Sequence, residues 1–269
     1  MAITLSYPEG GMLVTGGTGR VGKGIVRRLA EAGVPLVFTY RGNKAEAEAM
    51  VEALRAAGHR VWTQQMEMTD SGAIQAALDR VIAECGTIHG IACGAGWQVK
   101  FDKIADFPID YVERFVNADA LGYYRVFHAA IPMLRARGGG TITTCTTMAT
   151  RRVIDYDGVS PFSKASIDAL IRQVAAEEAP AGIRCNGVAI GWVEDRSIDQ
   201  AKVDYGPKPE NPQTEDERVS ALMHQLFTLA RMKRPVTSEE AGNTFAFLAS
   251  NEARHLTGQT LDLDAGCLL

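Results

Sequence analysis

Chemistry is first visible in residues 12–24, MLVTGGTGRVGKG. The apolar run Met12-Leu13-Val14 leads into Thr15-Gly16-Gly17-Thr18-Gly19-Arg20-Val21-Gly22, and Val21, Ile25, Val26 and Leu29 then recur at helical spacing. The order is strand, glycine-rich turn, helix. Glycines let the backbone pass close to a ligand, and a helix N-terminus offers free N–H groups and partial positive charge. The ligand that suits such a turn is the pyrophosphate of a dinucleotide. A glycine cluster alone also fits an ordinary loop. Its place between an apolar run and a helix favours the phosphate.

A second chemical signal closes the next apolar run, 34–40, which ends in Tyr40-Arg41-Gly42-Asn43-Lys44. Sites selective for NAD place a carboxylate near this strand end to bond the ribose hydroxyls. Here Tyr40 stands there and a cation, Arg41, follows. An acid would repel a 2′-phosphate, whereas a guanidinium can grip one through paired hydrogen bonds. The residues favour NADPH over NADH. The plainer alternative is that Arg41 is a solvated turn residue.

The elements that must position these residues follow in alternation. Helices are expected over 43–57, from Asp70 as N-cap to about 86, over 108–134 with a break near 118–122, over 160–178, near 215–230 and over 238–250. Further strands are expected at 59–65, 88–93, 141–146, 183–189 and 261–263. Ser238 reads as the cap of the last helix, without the acid that completes a capping box. Strands alternating with helices predict an α/β fold, a single-domain Rossmann-type doubly wound parallel sheet of about seven strands with helices on both faces. Residues 1–269 read as one domain. Within it, 194–230 reads as a substrate lid, polar at first and carrying Pro207, Pro209 and Pro212.

Bulk properties exclude several classes. The chain has 269 residues, 46% hydrophobic and 22% charged, enough for one substantial core. A net charge of −4 with scattered basic residues argues against nucleic acid as a partner. No apolar run is long enough to cross a membrane, and MAITLSYPEGG lacks the features of a secretory signal. The five dispersed cysteines suit reduced thiols in the cytoplasm. The histidines and cysteines have no metal-ligand spacing, so no metal is expected.

The motifs together resemble the short-chain dehydrogenase/reductase family over nearly the whole chain. Thr15-Gly16 through Gly22 resembles its cofactor turn. Cys93-Gly94-Ala95-Gly96 is similar to its Asn-Asn-Ala-Gly stretch, and Ser163-Lys164-Ala165 to the Ser-Lys-Ala of its active-site helix. Residues 183–191 are similar to its IRVNxVxPG segment, and residues 247–250 and 257–266 to its C-terminal signature. The resemblance implies a small-molecule substrate, a homodimer or homotetramer, and cofactor contacts from Gly16, Thr18, Arg20, Val21, Gly22, Tyr40, Arg41, Glu67, Met68, Gly94, Lys164, Gly191 and Val193. It also implies a catalytic Asn, Ser, Tyr and Lys, the Tyr four residues before the Lys. There a phenol protonates a carbonyl oxygen while an ammonium lowers the phenol's pKa and a hydroxyl orients the carbonyl.

This sequence keeps Lys164 and departs at the other three positions. Ser160 stands where the tyrosine is usual, Thr147 where the serine is, and Asp119 where the asparagine is, with Asn117 two residues away. Arg20 replaces the middle glycine of the turn, as in pteridine-reductase-like members that use NADPH. It could meet an anion or face solvent. An aliphatic hydroxyl is a poor general acid alone, so Tyr156, eight residues before Lys164, is a second candidate donor. Enoyl reductases of this superfamily space the two by seven. Asp155 and Asp157, which flank Tyr156, read as solvated. The leading expectation is NADPH-dependent reduction of a small carbonyl, enone or imine. A non-redox isomerase or hydratase, or a cofactor-binding protein without turnover, remains as an alternative.

Overall fold

The computed structural model describes residues 4–269. Seven parallel strands form one sheet in the order β3-β2-β1-β4-β5-β6-β7. They are β1 (Gly11–Thr15), β2 (Leu36–Tyr40), β3 (Val61–Gln65), β4 (Ile88–Cys93), β5 (Gly140–Thr147), β6 (Ile183–Ile190) and β7 (Thr260–Leu263). Every residue of β1, β2 and β4 is buried, as a sheet covered on both faces requires. The expected doubly wound fold is the one formed.

Helices α1 (Arg20–Glu31), α2 (Lys44–Ala56), α3 (Ser71–Cys85), α4 (Ile109–Ala118), α5 (Ala120–Arg137) and α6 (Val159–Glu178) alternate with the strands. One core layer joins the sheet to α3, α5 and α6 through Ile74, Leu78, Phe127 and Ile171. The other joins it to α1 and to α9 (Ser238–Ala249) through Ile25, Leu29 and Phe245. Gly24 and Gly242 let α1 and α9 touch: a Cβ on Gly24 would lie 1.7 Å from the Ser238 carbonyl oxygen, and one on Gly242 2.3 Å from that of Gly24.

The expected break in the long helix falls at Asp119, which separates α4 from α5. Asp70 caps α3 as expected, its carboxylate accepting from the N–H groups of Gly72 and Ala73. At α9 the structure corrects the expected cap. Thr237, not Ser238, is the N-cap, and with Glu240 it completes the capping box. Ser238 instead donates through its N–H and hydroxyl to the Asp195 carboxylate. The segment 194–230 holds α8 (Glu215–Leu229), as expected, and a helix that was not expected, α7 (Ile198–Tyr205). Ser197 starts α7 with a full capping box, a local signal outweighed in the sequence by the prolines that follow. Those prolines all lie between α7 and α8.

Candidate active site

In a sheet of this order, β1 and β4 are neighbours whose connections leave in opposite directions, which opens a crevice at their C-terminal ends. The glycine turn sits there. Gly16 has φ +69, and a Cβ on it would lie 2.6 Å from the Ala95 Cα, while a Cβ on Gly22 would lie 2.0 Å from the Gly16 carbonyl oxygen. Only glycine permits this approach, and it leaves the crevice floor free of side chains. No side chain caps α1 and no acid lies in its first turn, so its N-terminal N–H groups face an approaching anion uncontested.

Two cavities flank this turn. One, of about 400 Å³, is lined by Gly16, Thr18, Tyr40, Arg41, Glu67, Met68 and Gly94, together with Asn43, Glu46 and Trp97. The Arg41 guanidinium lies 4.7 Å from the centroid of the Trp97 ring and so reaches across the mouth. Glu46 is tied to Lys23 and Asn43, which partly satisfies its charge. Backbone floor, open helix N-terminus and flanking cation fit a dinucleotide phosphate.

The other cavity, about 420 Å³, is lined by Arg20, Val21, Thr147, Ser160, Lys164, Gly191 and Val193. Of the residues singled out in the sequence, Gly22 serves inside the turn and Asp119 lies beneath the cavity. Arg20 does not simply face solvent: it donates to the Val193 carbonyl, 3.0 Å away, joining the turn to the strand-β6 loop. Tyr156 is not among the residues lining the cavity. Its backbone has φ 66, rare for a residue with a side chain. Asn117 is occupied by Arg125, which donates to its carbonyl and side-chain oxygens.

Helix α6 presents Ser160 in its first turn and Lys164 one turn later, on one face. The Lys164 ammonium is 2.8 Å from one Asp119 oxygen, and the Ser163 hydroxyl donates to the other at 2.8 Å. Asp119 is 1% exposed and Lys164 9%, so this is a buried ion pair. Losing either partner would leave an uncompensated charge. The ammonium also lies 4.3 Å from the centroid of the Tyr123 ring. The Thr147 hydroxyl accepts from the Ala149 N–H, which leaves its own hydrogen free to donate. Burial pushes the Cys145 thiol, on the cavity wall, up to about 11, which disfavours the thiolate needed of a nucleophile.

The structure corrects the reading of Asp157 as solvated. Asp157 lines the cavity, and its Oδ1 is buried without a hydrogen-bond partner. Thr146 Oγ1 and Trp192 Nε1 are likewise buried, unpartnered and on this wall. The sequence carried no signal for these three, because their burial comes from packing against other elements. The outer wall is apolar, contributed by Leu222, Met223 and Leu226 of α8 over Ile154 and Trp192. Among the described residues there is no cluster of three or more groups able to hold a metal, and no helix long and apolar enough to cross a membrane.

Residues 18–267 match the family described as enoyl-(acyl carrier protein) reductase. The chain belongs to the short-chain dehydrogenase/reductase family, a family of oxidoreductases. It is 27% identical over 257 residues to the 3-oxoacyl-[acyl-carrier-protein] reductase FabG of Staphylococcus aureus, covering 94% of this chain and 96% of that protein. It is 28% identical over 246 residues to the enoyl-[acyl-carrier-protein] reductase [NADH] FabI of Bacillus subtilis, covering 90% and 89%. A solved short-chain type dehydrogenase/reductase from Mycobacterium ulcerans shares the fold, with a TM-score of 0.85 at 24% identity, over 98% of this chain and 91% of that one.

Proposed function

We propose that the protein is an NADPH-dependent reductase of a small carbonyl, enone or imine compound, with an active site that departs from the family pattern. The observation that carries this reading is that Lys164, Ser160 and Thr147 line one cavity, which lies beside the dinucleotide crevice along the glycine turn. A reduced nicotinamide bound in that crevice would supply hydride. Lys164, held by Asp119, binds and orients the nicotinamide ribose. Thr147 donates to the substrate oxygen. Ser160 or Tyr156 passes a proton to it, Ser160 from the cavity wall and Tyr156 only after its ring turns inward. The choice of NADPH rests on Arg41 and Asn43 at the end of β2, where no carboxylate occupies the strand terminus.

Residues 194–230 serve as the substrate lid of this single domain, and the apolar face of α8 selects a compact, largely apolar substrate. The protein works in the cytoplasm as a homodimer or homotetramer. Free cysteines and exposed apolar residues on α5 and α6 support that reading. The test follows the reduced-nicotinamide absorbance with acetoacetyl thioester, crotonyl thioester, cyclohexanone and a cyclic imine as probes. Oxidation of NADPH by at least one probe, lost in Lys164→Ala, is the expected result. Turnover that survives Lys164→Ala overturns the reading, and so does tight NADPH binding without oxidation by any probe.

A further inference from the structure

Neither the family pattern nor the names of the relatives accounts for Asp157. The chain around it is firmly placed. The Tyr156 carbonyl accepts from the Asp102 N–H at 3.0 Å, and the Asp157 N–H donates to the Ile154 carbonyl at 3.2 Å. Asp102 and Asp157 also form a parallel β-bridge. The positive φ of Tyr156 turns the backbone between these ties. Asp157 therefore enters the substrate cavity just ahead of α6, three residues before Ser160. One of its oxygens is buried without a partner, and Asp157 shares the cavity wall with Ser160, one helical turn further on.

We infer that Asp157 is the acid of this active site, delivering its proton through Ser160 Oγ to the oxygen of the bound substrate. The inference rests on the proposed reduction and supplies the proton that Ser160 alone would hold too tightly. As the carbonyl carbon gains hydride, the former π pair on oxygen takes the Ser160 hydroxyl proton. Ser160 Oγ takes the Asp157 proton, and Asp157 is left as carboxylate until water reprotonates it. No other reagent is required.

The electrostatics agree. Burial pushes the Asp157 carboxyl up to about 7, against a smaller lowering by the neighbouring Ser160 hydroxyl. Charged and titratable groups face it from several elements. Lys164 on α6 is committed to Asp119. Arg20 at the start of α1 and Tyr205 at the end of α7 share the cavity. Tyr111 on α4 is close enough to feel the carboxylate. Asp102 is paired with Arg218 of α8 at 3.1 Å. None of these cations bonds the Asp157 carboxyl.

The first test reads the carboxyl itself, in the full chain without cofactor. Infrared difference spectra, or NMR of protein carrying carboxyl-labelled aspartate, follow protonation with pH. A protonated carboxyl lost with a midpoint near 7 is expected in the wild type and absent from Asp157→Asn. In Ser160→Ala, which removes the hydroxyl that lowers it, the midpoint should move higher. A midpoint near 4 in the wild type overturns the assignment. The second test is turnover with the probes above. Asp157→Asn should lose about 100-fold or more in kcat, while its NADPH affinity, read by fluorescence, stays within about twofold. Retained kcat also overturns the assignment. If the wild type reduces a probe but Asp157 titrates near 4, only the role of Asp157 falls. If the wild type binds NADPH and reduces nothing, the reductase reading falls and the proton donor with it.

Discussion

Two titratable residues should shape the pH dependence of stability in opposite directions. Burial raises Asp157 from 3.8 to about 7, so between those values the folded state holds more protons than the unfolded, and stability falls as pH rises. Burial lowers His89 from 6.5 to about 4, both ring nitrogens being unpartnered. Between about 4 and 6.5 the unfolded state then binds the extra proton, and stability rises with pH. The two slopes offset each other in the wild type. Asp157→Asn should unmask rising stability across this window, and His89→Gln falling stability, both read as Tm against pH. Identical curves for all three proteins would contradict the burial of these groups. At the cofactor crevice, Arg41→Ala removes the guanidinium proposed to hold a 2′-phosphate. Its NADPH affinity should fall at least about tenfold, as for a lost charge-assisted bidentate pair, while NADH affinity changes little. An equal loss for both cofactors in fluorescence titrations would remove Arg41 from a role in selectivity.

Among the elements, the contact of α1 with α9 is the least forgiving. Gly24→Ala must push Ser238 backbone aside, because the neighbouring atom is a carbonyl oxygen and not a flexible side-chain end. Overpacking of this kind costs about 1–3 kcal/mol, or several degrees in Tm for a chain of this size. Because α1 begins at the glycine turn, a displaced α1 should also weaken NADPH binding. An unchanged Tm in a thermal melt would mean that the helices separate without cost. The same scale shows where sequence reading worked. Strong periodicity placed the large helices, and the local capping pattern of Asp70 was enough to start α3. It failed at Ser238, since two adjacent hydroxyl residues compete for the cap and only the extended backbone of Thr237 settles which one bonds the Glu240 N–H.

At the scale of the whole molecule, Leu121 and Tyr124 on α5 and Phe162 on α6 are 48%, 53% and 62% exposed. Contact between copies through these helices would cover them. Phe162→Glu should shift the protein toward monomer in sedimentation or light scattering, where the wild type is expected to be a dimer or tetramer. A wild-type monomer, or an assembly that survives both Phe162→Glu and Leu121→Glu, would refute this interface. The sequence by itself determined the alternation of strands and helices, the glycine turn and Lys164, because each is written in local spacing or in residues that no other type can replace. Only the tertiary structure decided that Lys164 is paired with Asp119, that Tyr156 stands off the cavity wall, and that Asp157 lines it with one oxygen buried. Those facts depend on which distant elements close over a side chain. Sequence neighbours cannot encode them: Tyr156 and Asp157 are adjacent, yet one backbone turn sends them into different surroundings.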